Sequence, residues 1–273
     1  MSVLTILARQ LRSEWMRGRG RPVEKYTGAV VIVLAVLSPI VMMLMSARNP
    51  VMRNSALATL AFPASVRAAG TMAMVLGPFW AAALGANIVG AEYQYGTWPW
   101  LLVRSSTRSR LVLVKVITVS FRIITLTMVG VAGFAAVGAG VCAAFGARVT
   151  GESITAGPLL IAFLGAGGTM AFAAAIGLTV TVASRSVAFG TLLGALAFPL
   201  FSAIRFKETA WWIPYVHLEN LQSRLLSGYP SPFLKQAYEF EMSARASTGI
   251  LALELFVVLA IGYAVFRRQE IVY

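Results

Sequence analysis

The stretch GAEYQYGTWPWLLVRSSTRSRLVLVK, Gly90–Lys115, stands between two of the most apolar runs of a 273-residue chain. Before it, roughly Ala68–Ala91 carries no charge; after it, Leu111–Gly146 carries only Lys115 and Arg122, both near its beginning. A helix rises 1.5 Å per residue, so about 20 apolar residues cross a bilayer. Both flanking runs are long enough, which makes the stretch a loop between membrane spans. That reading decides how the rest of the chain is taken.

Working outward, four more apolar runs appear: Tyr26–Met45, one within Ile154–Ser184, Ser186–Ile204 and Ala246–Phe266. The expected fold is all-α and integral to the membrane, with six spans forming one domain over residues 26–273. Composition agrees: 58% of residues are hydrophobic, 12% charged, and mean hydropathy is +0.77, whereas soluble domains are roughly a quarter charged. The basic N-terminal 25 residues lack a short apolar core with a cleavage site, and the first run is full length, so it reads as an uncleaved anchor.

The balance of 23 Lys and Arg against ten Glu and no Asp gives a net charge of +13. In a membrane protein such charge orients loops and meets anionic lipid, so no nucleic-acid partner is inferred. Segments 1–25, 92–115, 184–186 and 267–273 hold 13 of the basic residues, and the alternate segments 46–67, 147–157 and 205–247 hold nine in a longer stretch. Both termini and the quoted loop are therefore expected in the cytoplasm of a multi-pass protein of the cell membrane.

Residues 1–25 read as an amphipathic interfacial helix. Leu4, Leu7, Leu11 and Trp15 recur at helical spacing, with Arg9, Arg12 and Arg17 mostly elsewhere. Gly18 and Gly20 are taken as breaks before Pro22. Between the last two spans, residues 205–247 carry Trp211, Trp212, Tyr215, Tyr229, Phe233 and Tyr238, an interface-seeking composition. A short helix is expected there, with Leu221 on its apolar face. Glycines inside the spans, with Gly190 and Gly194 as a GxxxG pair, read as sites of close helix packing.

Chemistry within the chain is not expected. There is one histidine, His217, one cysteine, Cys142, and no aspartate, so neither a metal centre nor a membrane-embedded catalytic base can be assembled. GARVTGES, Gly146–Ser153, has phosphate-loop spacing, but Glu152 stands where a lysine is needed. Arg122 and Glu254 are intramembrane charges. Arg122 lies near enough to the surface to snorkel, and Glu254 can face a central path or a neighbouring arginine. The residues show no ladder of charges across the membrane.

The quoted loop itself begins with Glu92 where the second span emerges. Gly96 and Pro99 permit a sharp turn, and Thr97 can cap a short helix with Pro99 in its first turn. Leu101, Leu102 and Val103 give that helix an apolar side, and Arg104, Arg108 and Arg110 a basic one. Such a helix suits docking into a groove of another protein; lying against lipid is the alternative.

AEYQYGTWPWLLVRSSTRSRLVLVK resembles the cytoplasmic loop of exporter-type ATP-binding-cassette permeases, in which a Glu, a Gly-Thr, a Leu-Leu and a later Arg and Lys stand in this arrangement. Here those are Glu92, Gly96, Thr97, Leu101, Leu102, Arg108 or Arg110, and Lys115. WPW follows Gly-Thr where the family usually has a small or polar residue. The resemblance extends to the N-terminal helix, the six spans and the long outer segment before the last one.

It implies a permease subunit paired with a second permease, identical or paralogous, above separate ATP-binding subunits that hold ATP and Mg. The loop over residues 92–110, with Tyr93 and Arg104 included, would be the coupling helix through which the ATPase moves the spans. Trp211, Trp212, Tyr215 and Leu221 would belong to outer gate helices. The cargo would be an amphipathic drug, peptide antibiotic or lipid-linked molecule. A non-transporting membrane scaffold or sensor, and a secondary transporter or channel, are the other readings of the same residues.

Overall fold

The computed structural model describes residues 3–61, 64–104, 107–145, 156–203 and 243–269, with Pro214, Val216 and His217 between the last two segments. Among the described residues every regular element is a helix. In hydrocarbon a helix satisfies its own backbone donors and acceptors, so apolar runs of this length take no other form.

Helix α1 runs Val3–Gly20 and α2 Pro22–Ser46, joined at Arg21, whose extended backbone (φ −77°, ψ 125°) turns the chain before Pro22 opens the next helix. α2 thus begins four residues before the apolar run does. Gly18 does not break α1, contrary to the sequence expectation. It lies inside the helix, and the guanidinium of Arg122 crosses where its Cβ would stand. After α2, a helix absent from the sequence reading, α3, runs Pro50–Leu60. Its signal is present: Asn49 caps the amides of Val51 and Met52, and Pro50 occupies the first helical position.

The longer elements follow: α4, Ala64–Gln94; the short α5, Trp98–Arg104; α6, Arg108–Ala144; α7, Ala156–Ser184; α8, Val187–Ala203; and α9, Ala244–Arg268. Of six expected spans, five have a counterpart long and apolar enough to cross a membrane: α2, α4, α6, α7 from Phe163 and α9 from Arg245. α8 is apolar but has 17 residues, a length of about 25 Å against a hydrocarbon core of roughly 30 Å. The predicted outer helices within residues 205–247 fall mostly outside the described residues.

Small side chains set the packing. α4 is the centre, 56% of its apolar window being buried, while α2 and α9 stand at the periphery with 17% each. A Cβ on Gly85 would strike the backbone of Ala174, and one on Gly177 would come within 2.6 Å of the Ala82 carbonyl oxygen. α4 and α7 therefore touch backbone to backbone. Gly194 of α8 faces Ala82 and Ala173 at the same crossing. Small residues are what let apolar helices approach this closely where no water is expelled.

Candidate functional site

At the end of α4 the chain reverses. The amide of Tyr95 bonds the carbonyl of Ala91 at 3.0 Å, and that of Thr97 bonds Glu92 at 3.0 Å. Gly96 takes φ +61°, the left-handed conformation that ends a helix and that a residue with a Cβ adopts at a cost. Thr97 then starts α5 and donates its hydroxyl to the Glu92 carboxylate. A seven-residue helix does not hold itself together in isolation, so its seat decides whether it forms.

That seat is aromatic and ionic. Trp98 is buried, tilted against Tyr93 at 5.5 Å and against Phe266 of α9 at 4.8 Å between ring centroids. Leu101 is buried in the same cluster and Leu102 packs half-buried against it. Beneath Trp98 lies Lys115, 1% exposed, with its ammonium 5.4 Å from the ring centre. It donates to Glu92 at 3.0 Å, to the Ile88 carbonyl at 2.8 Å and to Glu14 of α1 at 3.5 Å. Glu92, 4% exposed, also accepts from Arg21 at 2.9 Å. A buried lysine needs such partners, because hydrocarbon and protein interior alike leave a lone charge unsolvated.

A second pair sits alongside. Arg122 of α6 bonds Glu24 of α2 and lies over Trp15 of α1 at 5.9 Å, and Trp15 meets Phe121 edge-on at 5.2 Å. Arg122 is thus held by a neighbouring helix, and Trp15 is half-buried against α6. Leu11 is half-buried as well, while the side chains of Leu4 and Leu7 lie outside those described.

The C-terminal end of α9 closes the other side. Tyr93 donates its hydroxyl to the Gln269 side chain at 2.6 Å, Gln269 donates to the Val182 carbonyl of α7 at 2.5 Å, and Arg108 donates to the backbone carbonyls of Arg267 and Gln269 at 3.0 and 3.1 Å. Arg108 therefore caps α9, with its charge at the negative pole of that helix, and is turned toward the chain's own interior. Arg110 is half-buried, and the Arg104 side chain lies outside those described.

What the loop presents outward is a ridge: Tyr95 is 75% exposed, Trp100 71% and Val103 71%. Beside it, between α1 and the turn, opens a cleft of about 470 Å³. Of the other sequence candidates, Glu254 is half-buried in α9, with Oε2 enclosed and without a hydrogen-bond partner among the described residues. Trp211, Trp212, Tyr215 and Leu221 lie outside the described residues. Within the spans, an apolar cavity of about 100 Å³ opens between α2, α4 and α6, lined by Val31, Met72, Trp80, Leu126 and Phe134 among others.

Three members of the site, Glu14, Arg21 and Glu24, escaped the sequence reading, as did the inward placement of Trp98. A signal for the acids exists. Glu14, Glu24 and Glu92 are the only acidic residues before Glu152, and each is paired with a cation.

Compared with known proteins, residues 23–201 match the model of the family described as ABC-2 family transporter protein. No curated protein matches the chain significantly.

Proposed function

The chain belongs to the ABC-2 transporter family and is a multi-pass permease subunit of an ABC transporter, and from that premise we propose that it exports an amphipathic substrate at the expense of ATP hydrolysed on a separate subunit. The partner subunit holds ATP and Mg; this chain supplies the path. In this reading there are six spans, with α8 as the fifth, and both termini and the 92–110 loop face the cytoplasm of the cell membrane. A second permease, a copy or a paralogue, completes the path, and the segment around Trp211–Leu221 gates its outer end.

One observation carries the coupling role. α5 stands on a buried ionic seat while its aromatic ridge faces away from the chain. Force applied to Tyr95, Trp100 and Val103 passes through Trp98, Glu92 and Lys115 into α4 and α6, because close-packed interiors move as bodies and do not flow. Exposed tryptophan and tyrosine are among the residues from which binding hot spots are built. Of the loop's basic residues Arg108 is occupied capping α9 and Arg110 is half-buried, so recognition rests on the ridge more than on an arginine cluster. The cargo in this reading is an amphipathic molecule such as a drug, a peptide antibiotic or a lipid-linked molecule.

The test is Trp100→Ala in the purified complex. Loss of a hot-spot tryptophan costs about 2 kcal/mol or more, so affinity for the ATP-binding subunit falls roughly thirty-fold and its stimulated hydrolysis falls with it. The isolated chain should melt within about 1 °C of the parent, since an exposed side chain contributes little to stability. Unchanged affinity in both Trp100→Ala and Val103→Asp would exclude the ridge as the docking surface.

A further inference from the structure

We infer that the cleft between the carboxyl end of α1 and the turn before α5 binds the phosphate of an anionic lipid headgroup. Its volume of about 470 Å³ falls in the range of small-ligand sites, roughly 300–1,000 Å³. It is lined by Arg17 and Arg21, by Glu92 and Thr97, and by the exposed Tyr95 and Trp100.

The arginines have capacity to spare. Arg21 commits one amino group to Glu92 at 2.9 Å, while its Nη1 is enclosed and has no hydrogen-bond partner among the described residues. An unmet guanidinium donor is costly, and a small rotation that brings it to the cleft surface offers it an anionic acceptor. Arg17 has Glu14, at 3.3 Å, as its ion-pair partner and is 39% exposed. In the ion-pair network as a whole, Arg17, Arg21, Lys115 and Arg122 face Glu14, Glu24 and Glu92, leaving one positive charge in excess. Arg21 is also the residue before α2, whose amino end has no side-chain cap, so the positive pole of that helix borders the cleft.

Position favours a lipid over a free anion. The amino end of α2, the carboxyl end of α4 and the start of α6 meet here, which is the level where spans leave the hydrocarbon and headgroup phosphates lie. The exposed tyrosine and tryptophan at the rim are the residues that populate that level. A phosphate on Nη1 leaves the Nη2 bond to Glu92 in place, so an occupied cleft stabilises the seat of α5. The inference does not depend on the transport reading, because it concerns binding to the chain alone.

The experiment titrates the full chain, purified in mild detergent, with phosphatidylglycerol, phosphatidylcholine or inorganic phosphate, reading bound lipid by native mass spectrometry and unfolding temperature in parallel. One phosphatidylglycerol should bind in preference to phosphatidylcholine and raise the unfolding temperature. Arg17→Gln should weaken it about five-fold, the effect of one basic residue near a charged surface, and Arg17→Lys should retain most of it. Arg12→Gln removes the same charge from an exposed position on α1 outside the cleft and should change nothing. The inference is overturned if Arg12→Gln weakens binding as much as Arg17→Gln, which is general surface charge, or if phosphatidylcholine binds equally well. Displacement of the lipid by millimolar phosphate would reassign the cleft to a free anion.

Discussion

Removing the charge of Glu92 without changing its shape isolates what the ionic seat contributes. In Glu92→Gln, Lys115 keeps the Ile88 carbonyl at 2.8 Å and Glu14 at 3.5 Å but loses its nearest carboxylate. Orphaning one member of a buried pair costs about 3–5 kcal/mol, and the residual Glu14 contact puts this case near 3. Lys115→Met is milder, about 2 kcal/mol, because Glu92 retains Arg21 and Thr97. With both changed, no ammonium is left without its carboxylate, so the double variant should lose about 2–3 kcal/mol, well short of the sum, a coupling of roughly 2–3 kcal/mol between contacting residues. Thermal unfolding in mild detergent reads this directly. At about 2–4 °C per kcal/mol for a chain approaching this size, Glu92→Gln should melt about 6–12 °C low, and the double variant no lower than Glu92→Gln alone. Additivity within about 0.5 kcal/mol would refute the reasoning, since it would mean that Lys115 and Glu92 do not sense each other.

Three other outcomes follow from the same geometry. Trp98→Ala should cost about 3–5 kcal/mol, measured as unfolding temperature, in contrast to its neighbour Trp100, because only Trp98 is enclosed by Tyr93, Phe266 and Lys115. Gly177→Val should abolish the close crossing of α4 and α7 and be seen as loss of monodisperse protein on size exclusion, whereas Gly140→Val, whose added Cβ would meet nothing within 4 Å, should be recovered normally. At Gly96 an added Cβ would also meet nothing within 4 Å, but φ is +61°. Gly96→Val should therefore destabilise by about 1–2 kcal/mol through the backbone alone, and Gly96→Asn, a residue that tolerates this region, by less; unfolding temperatures of the pair check it.

How much of this was legible in the residues differs by element. Spans announce themselves because an uncharged run of 20 residues has one stable form in lipid, and the ends of α4 and α6 fall within a few residues of the apolar boundaries. The turn at Gly96 and the start of α5 at Thr97 were readable too, since glycine and threonine do local work. The seat was not. Lys115 meets Glu92 and Glu14 from 23 and 101 residues away, and no local pattern encodes such a distance. Trp98 and Trp100 look alike in sequence, and only the placement of α9 turns one inward and leaves the other outside. Gly18 illustrates the opposite error: glycine commonly ends helices, but here it makes room for Arg122 to cross α1.

The cap that Arg108 places on α9 has a practical consequence. Because its guanidinium and the Tyr93 hydroxyl both grip Gln269, the carboxyl foot of α9 is tied at two points to the segments that flank α5. A fluorophore carried on the exposed last turn of α9, at Arg268, would therefore report any movement of the α5 loop relative to the spans.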